Sequence, residues 1–459
     1  MGNRINRRNV LKGAAALSAV YFMPKGAYLH AKGAKPTGKT PPSDKVNMGL
    51  IGIGGRGGGM ARTFDTSGQV NVVALCDVDM GSRHTSGSLK RFPKAEKFKD
   101  FRKMLDKVAG KIDACQVAVA DHAHFPICML AMSLGKHVYV EKPLCHTFQE
   151  AELLMAAEKK YKVACQMGNQ GHGGYQYNQF KDYVKAGLLD KTTRIDACMN
   201  SRRRWHGWKI DGFPSGETKP ETLDWDLWLA TRPETPYSTK LHPGNWRSWF
   251  RFGNGAFGDW GPHTLDTAHE FLELGLPFKT TAVKREGPNK WIFPQASTIA
   301  FEFPARGAMP PVTITWYDGV KNFPPRPKEL GEKRSLRKCG KVIYAGDLVF
   351  MGGTHSDTLR IIPESKNKEM AGKLPKPGKT SSHHGNFLAA CRGEEICRSR
   401  FAISGPLTQV FLLGVIAQRL GGALEFDRKT RQITNNAEAN KLLVGPPPRK
   451  GWEQYYKLA

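Results

Sequence analysis

The chain has 459 residues, 40% hydrophobic and 24% charged, which is enough for two domains with cores of their own and too apolar for a disordered polymer. Its formal charge of +28 raises the question of nucleic acid, yet the nine Lys and Arg among residues 1–45 face Asp44 alone and belong to a leader and tether. Basic and aromatic residues interleave from Arg202 to His206 without a helix-turn-helix, zinc-finger or RNA-recognition pattern, so solvated surface charge is the reading and nucleic acid is not an expected partner.

Asn6-Arg7-Arg8-Asn9-Val10-Leu11-Lys12, followed by the apolar run Gly13 to Met23, has the form of a twin-arginine export signal. Residues 1–34 read as the signal segment and 35–45 as a tether. Cleavage after Ala31 or Ala34 would give an exported, periplasmic protein, and an uncleaved signal would tether it to the membrane; the export machinery is then a partner. No other stretch reads as able to cross a membrane.

Val46 to Ile51 predicts a buried strand, the glycines after it a turn, and Gly59 to Phe64 the start of a helix. Strands follow at Val70 to Cys76, Ile112 to Ala120, His137 to Val140 and Val163 to Met167, with helices at Phe125 to Leu134 and Phe148 to Lys160. This alternation specifies an α/β fold with a doubly wound parallel sheet over residues 46–168. Residues 169–459 form a second, α+β domain, where Ser297 to Phe303 and Pro311 to Trp316 suggest an open, mainly antiparallel sheet and Gly385 to Arg392 and Leu407 to Leu420 are helical. Seven tryptophans between Trp205 and His263 suit an oligomer contact or a sugar-stacking cleft. The basic stretch Arg326 to Lys341 reads as a surface loop. The nine cysteines have no Cys-x-x-Cys pair and read as core fillers, with Cys391 and Cys397 the one close pair; no metal is expected.

Gly52-Ile53-Gly54-Gly55-Arg56-Gly57 follows a strand and opens a helix, and Asp77 ends the next strand, which is the context of a dinucleotide site. Gly52 serves the tight turn, Gly54 the approach of the pyrophosphate and Gly57 the packing of helix on strand. Asp77 would accept bonds from ribose hydroxyls and repel a 2′-phosphate, favouring NAD; Arg56 keeps NADP open. Lys142, at the carboxyl end of a strand, lies on the edge where such sheets bind ligands.

These motifs, with Cys76-Asp77-Val78-Asp79, Asp121-His122-Ala123-His124, Glu141-Lys142-Pro143, Gly168-Asn169-Gln170 and Asp259-Trp260-Gly261-Pro262-His263, resemble the Gfo/Idh/MocA oxidoreductases. The resemblance runs over nearly the whole chain after the tether. It implies that Lys142 bonds the reacting hydroxyl beside the nicotinamide, that His263 is the general base, and that Asp259 orients or tunes it. It also brings Asp121, His124, Glu141 and Asn169 to the cofactor. Val119-Ala120 departs from the Thr-Pro of many members, which puts the packing under the nicotinamide ribose in question.

Asn169, Gln170 and His172 follow a strand end and could line the nicotinamide pocket, Gln170 and His172 touching substrate; each residue also has a plainer reading, Asp259 as N-cap of a helix over Leu265 to Leu274, Lys142 as a strand-end charge, and Asn169, Gln170 and His172 as loop polarity. Further candidates for substrate contact are Tyr175, Tyr177, Arg203, Trp205, His206, Asn245, Trp246 and Arg247. Three functions share the site: oxidation or reduction of a sugar or cyclitol hydroxyl with the cofactor recycled in place, a redox-neutral NAD-dependent glycosidase, and a non-catalytic carbohydrate-binding protein. An open sheet with an apolar face implies a homodimer or homotetramer.

Overall fold

The computed structural model describes residues 44–458 apart from 201–207, 215, 333 and 356. The signal segment, all but the end of the tether, and Arg203, Trp205 and His206 lie outside the described residues.

β1 (Val46–Ile51), α1 (Gly55–Thr66) and β2 (Val70–Cys76) open the chain, followed by β3 (Glu96–Phe98), α2 (Phe101–Val108) and β4 (Ala114–Val117). Then come α3 (His124–Ser133), β5 (His137–Val140), α4 (Phe148–Tyr161) and β6 (Cys165–Met167). The six strands form one parallel sheet in the order β3-β2-β1-β4-β5-β6, the doubly wound arrangement expected. β1 is apolar along almost its whole length because helices cover both faces of such a sheet. α1 starts four residues before the expected Gly59, because Gly54 is its extended N-cap and the glycines themselves form the first turn.

The rest of the chain contributes α5 (Tyr175–Lys185), β7 (Thr192–Met199), α6 (Gly255–Thr264), α7 (Asp266–Phe271), β8 (Lys279–Glu286), β9 (Ala296–Phe303) and β10 (Val312–Asp318). It ends with β11 (Cys339–Ala345), β12 (Leu348–Gly352), β13 (Arg360–Ile362), α8 (His383–Cys391), α9 (Phe401–Leu420), β14 (Ala423–Asp427), β15 (Gln432–Ile433) and α10 (Ala437–Val444). Nine of these strands form a mixed sheet, β13-β12-β11-β7-β10-β9-β8-β14-β15, antiparallel except where β10 runs parallel to β7. The stretch expected to be a basic loop ends inside β11, where Lys341 is buried.

α9 is apolar on every side, and a helix of that kind belongs in a core. Its Phe411 and Leu413 join Phe257 of α6, Leu154 of α4 and Phe301 of β9 in one apolar cluster that runs from one sheet to the other. Contrary to the expectation from sequence, α9 is long and apolar enough to cross a membrane; here most of it is buried in protein. It begins earlier than Leu407 because the Glu158 carboxylate accepts the N–H groups of Phe401 and Ala402 at 2.9 and 2.8 Å, satisfying the helix start. All nine cysteines are free, including Cys391 and Cys397.

α4 carries a capping box, in which Thr147 and Glu150 satisfy each other's backbone N–H groups. Glu150 also accepts from Arg232 at 2.8 Å and from the Tyr456 hydroxyl at 2.9 Å, so one buried carboxylate ties the first domain to two distant segments. Replacing Glu150 by Ala would strand the Arg232 charge, 1% exposed, and should cost about 3–5 kcal/mol of unfolding free energy in a denaturant titration. A loss below about 1 kcal/mol would mean that Arg232 finds another partner or water.

Candidate active site

The turn after β1 is enclosed by backbone. Gly52 has φ +77°, and a Cβ there would lie 2.4 Å from the Ala118 carbonyl oxygen; a Cβ on Gly57 would lie 2.0 Å from that of Gly52. Only glycine lets α1 start so close to the strand. A Cβ on Gly54 would press less hard, with the His84 Cβ 3.3 Å away and the His84 carbonyl oxygen 3.4 Å away, and this glycine stands at the helix N-terminus, where a pyrophosphate would approach.

Asp77 stands at the end of β2. Its Oδ2 accepts the Ile53 N–H at 2.9 Å and its Oδ1 the Asp79 N–H at 3.0 Å. A carboxylate has about four acceptor positions, so these bonds leave capacity for a ribose hydroxyl. Burial raises the Asp77 pKa, and the N–H groups of Asp79, Ile53 and Gly54 oppose that rise. Arg56, the residue that kept NADP open, gives its Nε to Glu141 Oε1 at 3.0 Å.

A cavity of about 370 Å³ extends from this turn, with Gly54, Asp77 and Val119 on one wall and Trp228, His242, Trp246 and Arg247 on the other. The second wall is an insertion between β7 and α6. It is pinned to the first domain beside Asp77: the Thr222 hydroxyl donates to Asp79 Oδ1 at 2.6 Å and the Asp224 N–H to the Val78 carbonyl at 2.9 Å. Trp228, Trp246 and Trp249 are buried with Leu241 and Phe252, and Trp225 stacks on Trp228 at 4.4 Å. Most of the described tryptophans in this region build the insertion's own core, and Trp228 and Trp246 also line the cavity.

Lys142 is buried, and its Nζ donates to Oδ1 and to the main-chain oxygen of Asp259 at 2.5 and 3.0 Å. An ammonium has three donors, so one is left for a ligand oxygen. Burial lowers the Lys142 pKa and Asp259 raises it. Asp259 lies inside α6, so its reading as a cap for the next helix falls; His263 is one turn further along the same helix. Burial and the charge of Lys142 hold His263 well below its ordinary pKa, with Asp259 opposing, which favours the neutral ring. Its Nδ1 is buried without a hydrogen bond among the described residues.

Sequence reasoning missed His355. Its ring stacks on His263 with centroids 3.8 Å apart, and its N–H donates to the His263 carbonyl at 3.1 Å. It sits at φ +56°, uncommon for a histidine, after Gly352-Gly353, and that glycine pair was the available signal. Trp228 and His242 of the cavity wall were also missed; nothing local marks a residue that reaches a site by long-range packing.

The other expected residues separate into four groups. Glu141 Oε1 accepts from Arg56 and from Gln170 Nε2 at 3.1 Å, which places both beside Lys142. Asp121 and His124 are buried beneath the site: Asp121 accepts from Arg247 and the Asn254 N–H, with burial raising its pKa to about 6, and His124 faces the carbonyls of Pro143 and Val119. They brace the loops under the cofactor cavity. His172 lies between Asp266 at 3.2 Å and Glu270 at 2.7 Å, and Asn169 bonds Asp266 and Ser399, so both serve an internal polar cluster. Trp246 and Arg247 line the cofactor cavity, Asn245 donates to the Thr239 carbonyl, Tyr175 is exposed at the start of α5, and Tyr177 packs edge-on against His172.

A glycine cradle at a helix start, an acceptor for ribose hydroxyls and a buried Lys-Asp-His group at the same sheet edge define a nucleotide-dependent oxidoreductase fold. The chain belongs to the Gfo/Idh/MocA oxidoreductase family: residues 46–169 match its NAD-binding Rossmann domain and residues 174–281 its C-terminal alpha/beta domain. A glycosyl hydrolase family 109 protein of Shewanella sp. (strain W3-18-1) is 27% identical over 227 residues, 46% of this chain and 49% of that protein. The chain thus matches about half the length of such curated relatives. Among solved structures, the WlbA dehydrogenase of Chromobacterium violaceum, in complex with NADH and UDP-GlcNAcA, superposes with a TM-score of 0.55 at 13% identity, covering 84% of this chain and 98% of that one. The aldose-aldose oxidoreductase of Caulobacter crescentus gives 0.52 at 13% identity, covering 83% and 100%. At such identities these two likenesses show the fold.

Two outcomes follow from this geometry. Gly57→Ala should displace α1 and weaken NADH binding, read by fluorescence titration, by more than about tenfold, that is more than about 1.4 kcal/mol; unchanged affinity would mean that the cradle does not hold the pyrophosphate. The acidic neighbours Glu270 and Asp266 overcome burial and raise the His172 pKa to about 10. Because the folded value lies above the unfolded one near 6.5, the stabilisation is fully present below pH 6.5 and is lost as pH rises through about 10. The stability gap between wild type and His172→Gln should therefore shrink from neutral to alkaline pH in denaturant titrations, and a gap that widens would reverse the assignment.

Proposed function

We propose that the protein is an NAD-dependent oxidoreductase acting on a hydroxyl or keto group of a sugar or cyclitol, with the cofactor held and reset inside the enzyme. The observation that carries this reading is the remaining Lys142 donor beside neutral His263 at the edge of the Rossmann sheet. Bound in the cavity, NAD supplies a hydride acceptor. Lys142 donates to the substrate oxygen and stabilises negative charge as the proton leaves, and His263 receives that proton, since a carbinol C–H yields hydride readily only when the O–H is lost. Asp259 keeps the Lys142 ammonium charged in a buried setting and favours the imidazolium that forms. His355 covers one face of His263.

Retention of the cofactor is supported by the insertion wall, which leaves the adenosine end of the cavity between Asp77 and Trp228. The twin-arginine motif supports export, and outside the cytoplasm no NAD pool renews a diffusible cosubstrate. Val283 of β8 and the nearby Phe278 are exposed, which supports an oligomer formed through the second sheet.

The family 109 relatives favour a second reading with the same residues. Transient oxidation of a ring hydroxyl acidifies the neighbouring C–H, the glycosidic substituent is eliminated, water adds and the oxidation is reversed.

Denaturing the purified protein should release NAD or NADH in near-stoichiometric amount; finding neither, with no uptake of added NAD, would sink both readings. Lys142→Ala and His263→Ala should each lower turnover about 10²–10⁴-fold with bound cofactor retained. Aryl glycosides incubated without added cofactor decide between the two: aglycone release with solvent exchange at a ring C–H selects the glycosidase, and no release selects the oxidoreductase.

A further inference from the structure

A second cavity, about 320 Å³, lies away from the dinucleotide turn and shares none of its lining with the first. Its floor is α9, through Leu412 and Ile416. Around the rim stand Arg251, Lys290, Arg419 and Lys441, with Trp291 and Phe213 as aromatic walls, and no carboxylate lines it among the described residues. Glu438 lies 3.7 Å from Lys441, and its charge opposes the effect of burial on Arg419.

The two arginines are the unusual pair. Arg251 stacks with its guanidinium carbon 3.8 Å from the Phe213 ring centroid and gives Nη1 to the Thr235 hydroxyl at 2.8 Å. That contact orients the planar fork and leaves most of its donors over. The Arg419 guanidinium sits 5.6 Å from the Phe250 ring and makes no hydrogen bond or ion pair among the described residues. Burial, and for Arg251 the charge of Arg419, make both guanidiniums easier to deprotonate. Two half-buried like charges facing one hollow are held there by the covalent fold against their repulsion, and an anion between them reverses the sign of that interaction. Guanidinium forks match oxyanions in geometry, and an indole face matches a sugar or aromatic ring.

We propose that this cavity binds a small organic oxyanion, a carboxylate, sulfate or phosphate ester carried on a ring, with the acid group between Arg251 and Arg419 and the ring against Trp291. Lys290 and Lys441 supply long-range attraction at the mouth. The site is distinct from the dinucleotide cavity, and its reality does not depend on which reaction the first site performs.

Calorimetric titration of the full-length, NAD-saturated protein with glucuronate, glucose 6-phosphate, benzoate and inorganic phosphate tests it, with neutral glucose as the control. Saturating NAD occupies the first cavity. At least one anion should bind, glucose about tenfold or more weaker, and added salt should weaken the anion. Arg419→Gln should raise the dissociation constant by about tenfold, and the exposed pair Lys290→Gln with Lys441→Gln by a smaller factor while leaving the thermal transition in place. The three anions with rings separate carboxylate from phosphate as the head group, and phosphate alone reports the head group without its ring. No heat from any of the four anions up to about 10 mM, weaker than the millimolar range of a single ion contact, would overturn the proposal. So would anion binding unchanged in Arg419→Gln and in the double lysine variant, since it would then lie elsewhere.

Discussion

A lysine ammonium cannot remain buried without a charge partner and hydrogen-bond acceptors, and the molecule meets that demand for Lys142 across its two domains. Lys142 comes from the end of β5 in the parallel sheet, and Asp259 from α6, more than a hundred residues later. Their contact makes α6 a part of the active site, and with it His263 one turn on. Helix α6 is in turn packed against α9 through Phe257 and Phe411. Loss of the Lys142 to Asp259 contact would therefore disturb chemistry and domain packing together.

The same economy of connection governs the cofactor side. Asp77 is bonded to the backbone of both Ile53 and Asp79, so the residue proposed to meet the ribose also fixes the shape of the glycine turn. Asp79 then receives the Thr222 hydroxyl, which brings in the insertion. A cofactor between these walls is bounded by a rigid turn on one side and a tryptophan-cored insertion on the other. The proposed retention of NAD would draw on both of these walls.

Beneath the site, residues with familiar functional chemistry act as braces. Asp121 holds Arg247 and the start of α6, His124 meets the carbonyls after Lys142 and below Ala120, and His172 completes a buried cluster with Asp266 and Glu270. Their positions in motifs are explained by the precision such loops need to hold Lys142 within hydrogen-bond reach. Nothing in their residue type distinguishes a brace from a ligand contact; only burial and partners do.

What the sequence by itself determined is the local chemistry of the first domain. Gly52, Gly54 and Gly57 followed by Asp77 are legible because the turn, the helix start and the next strand lie within one continuous stretch, and backbone sterics dictate the residue at each point. The strand ends at Cys76 and Val140 are legible for the same reason, since a buried parallel strand is a short apolar run. The tertiary structure alone decided that Trp228 and His242 would wall the cofactor cavity, that His355 would stack on His263, and that His172 would face Asp266 and Glu270. Those relations join segments separated by tens to hundreds of residues, and packing between distant surfaces leaves no periodic or compositional trace in the chain.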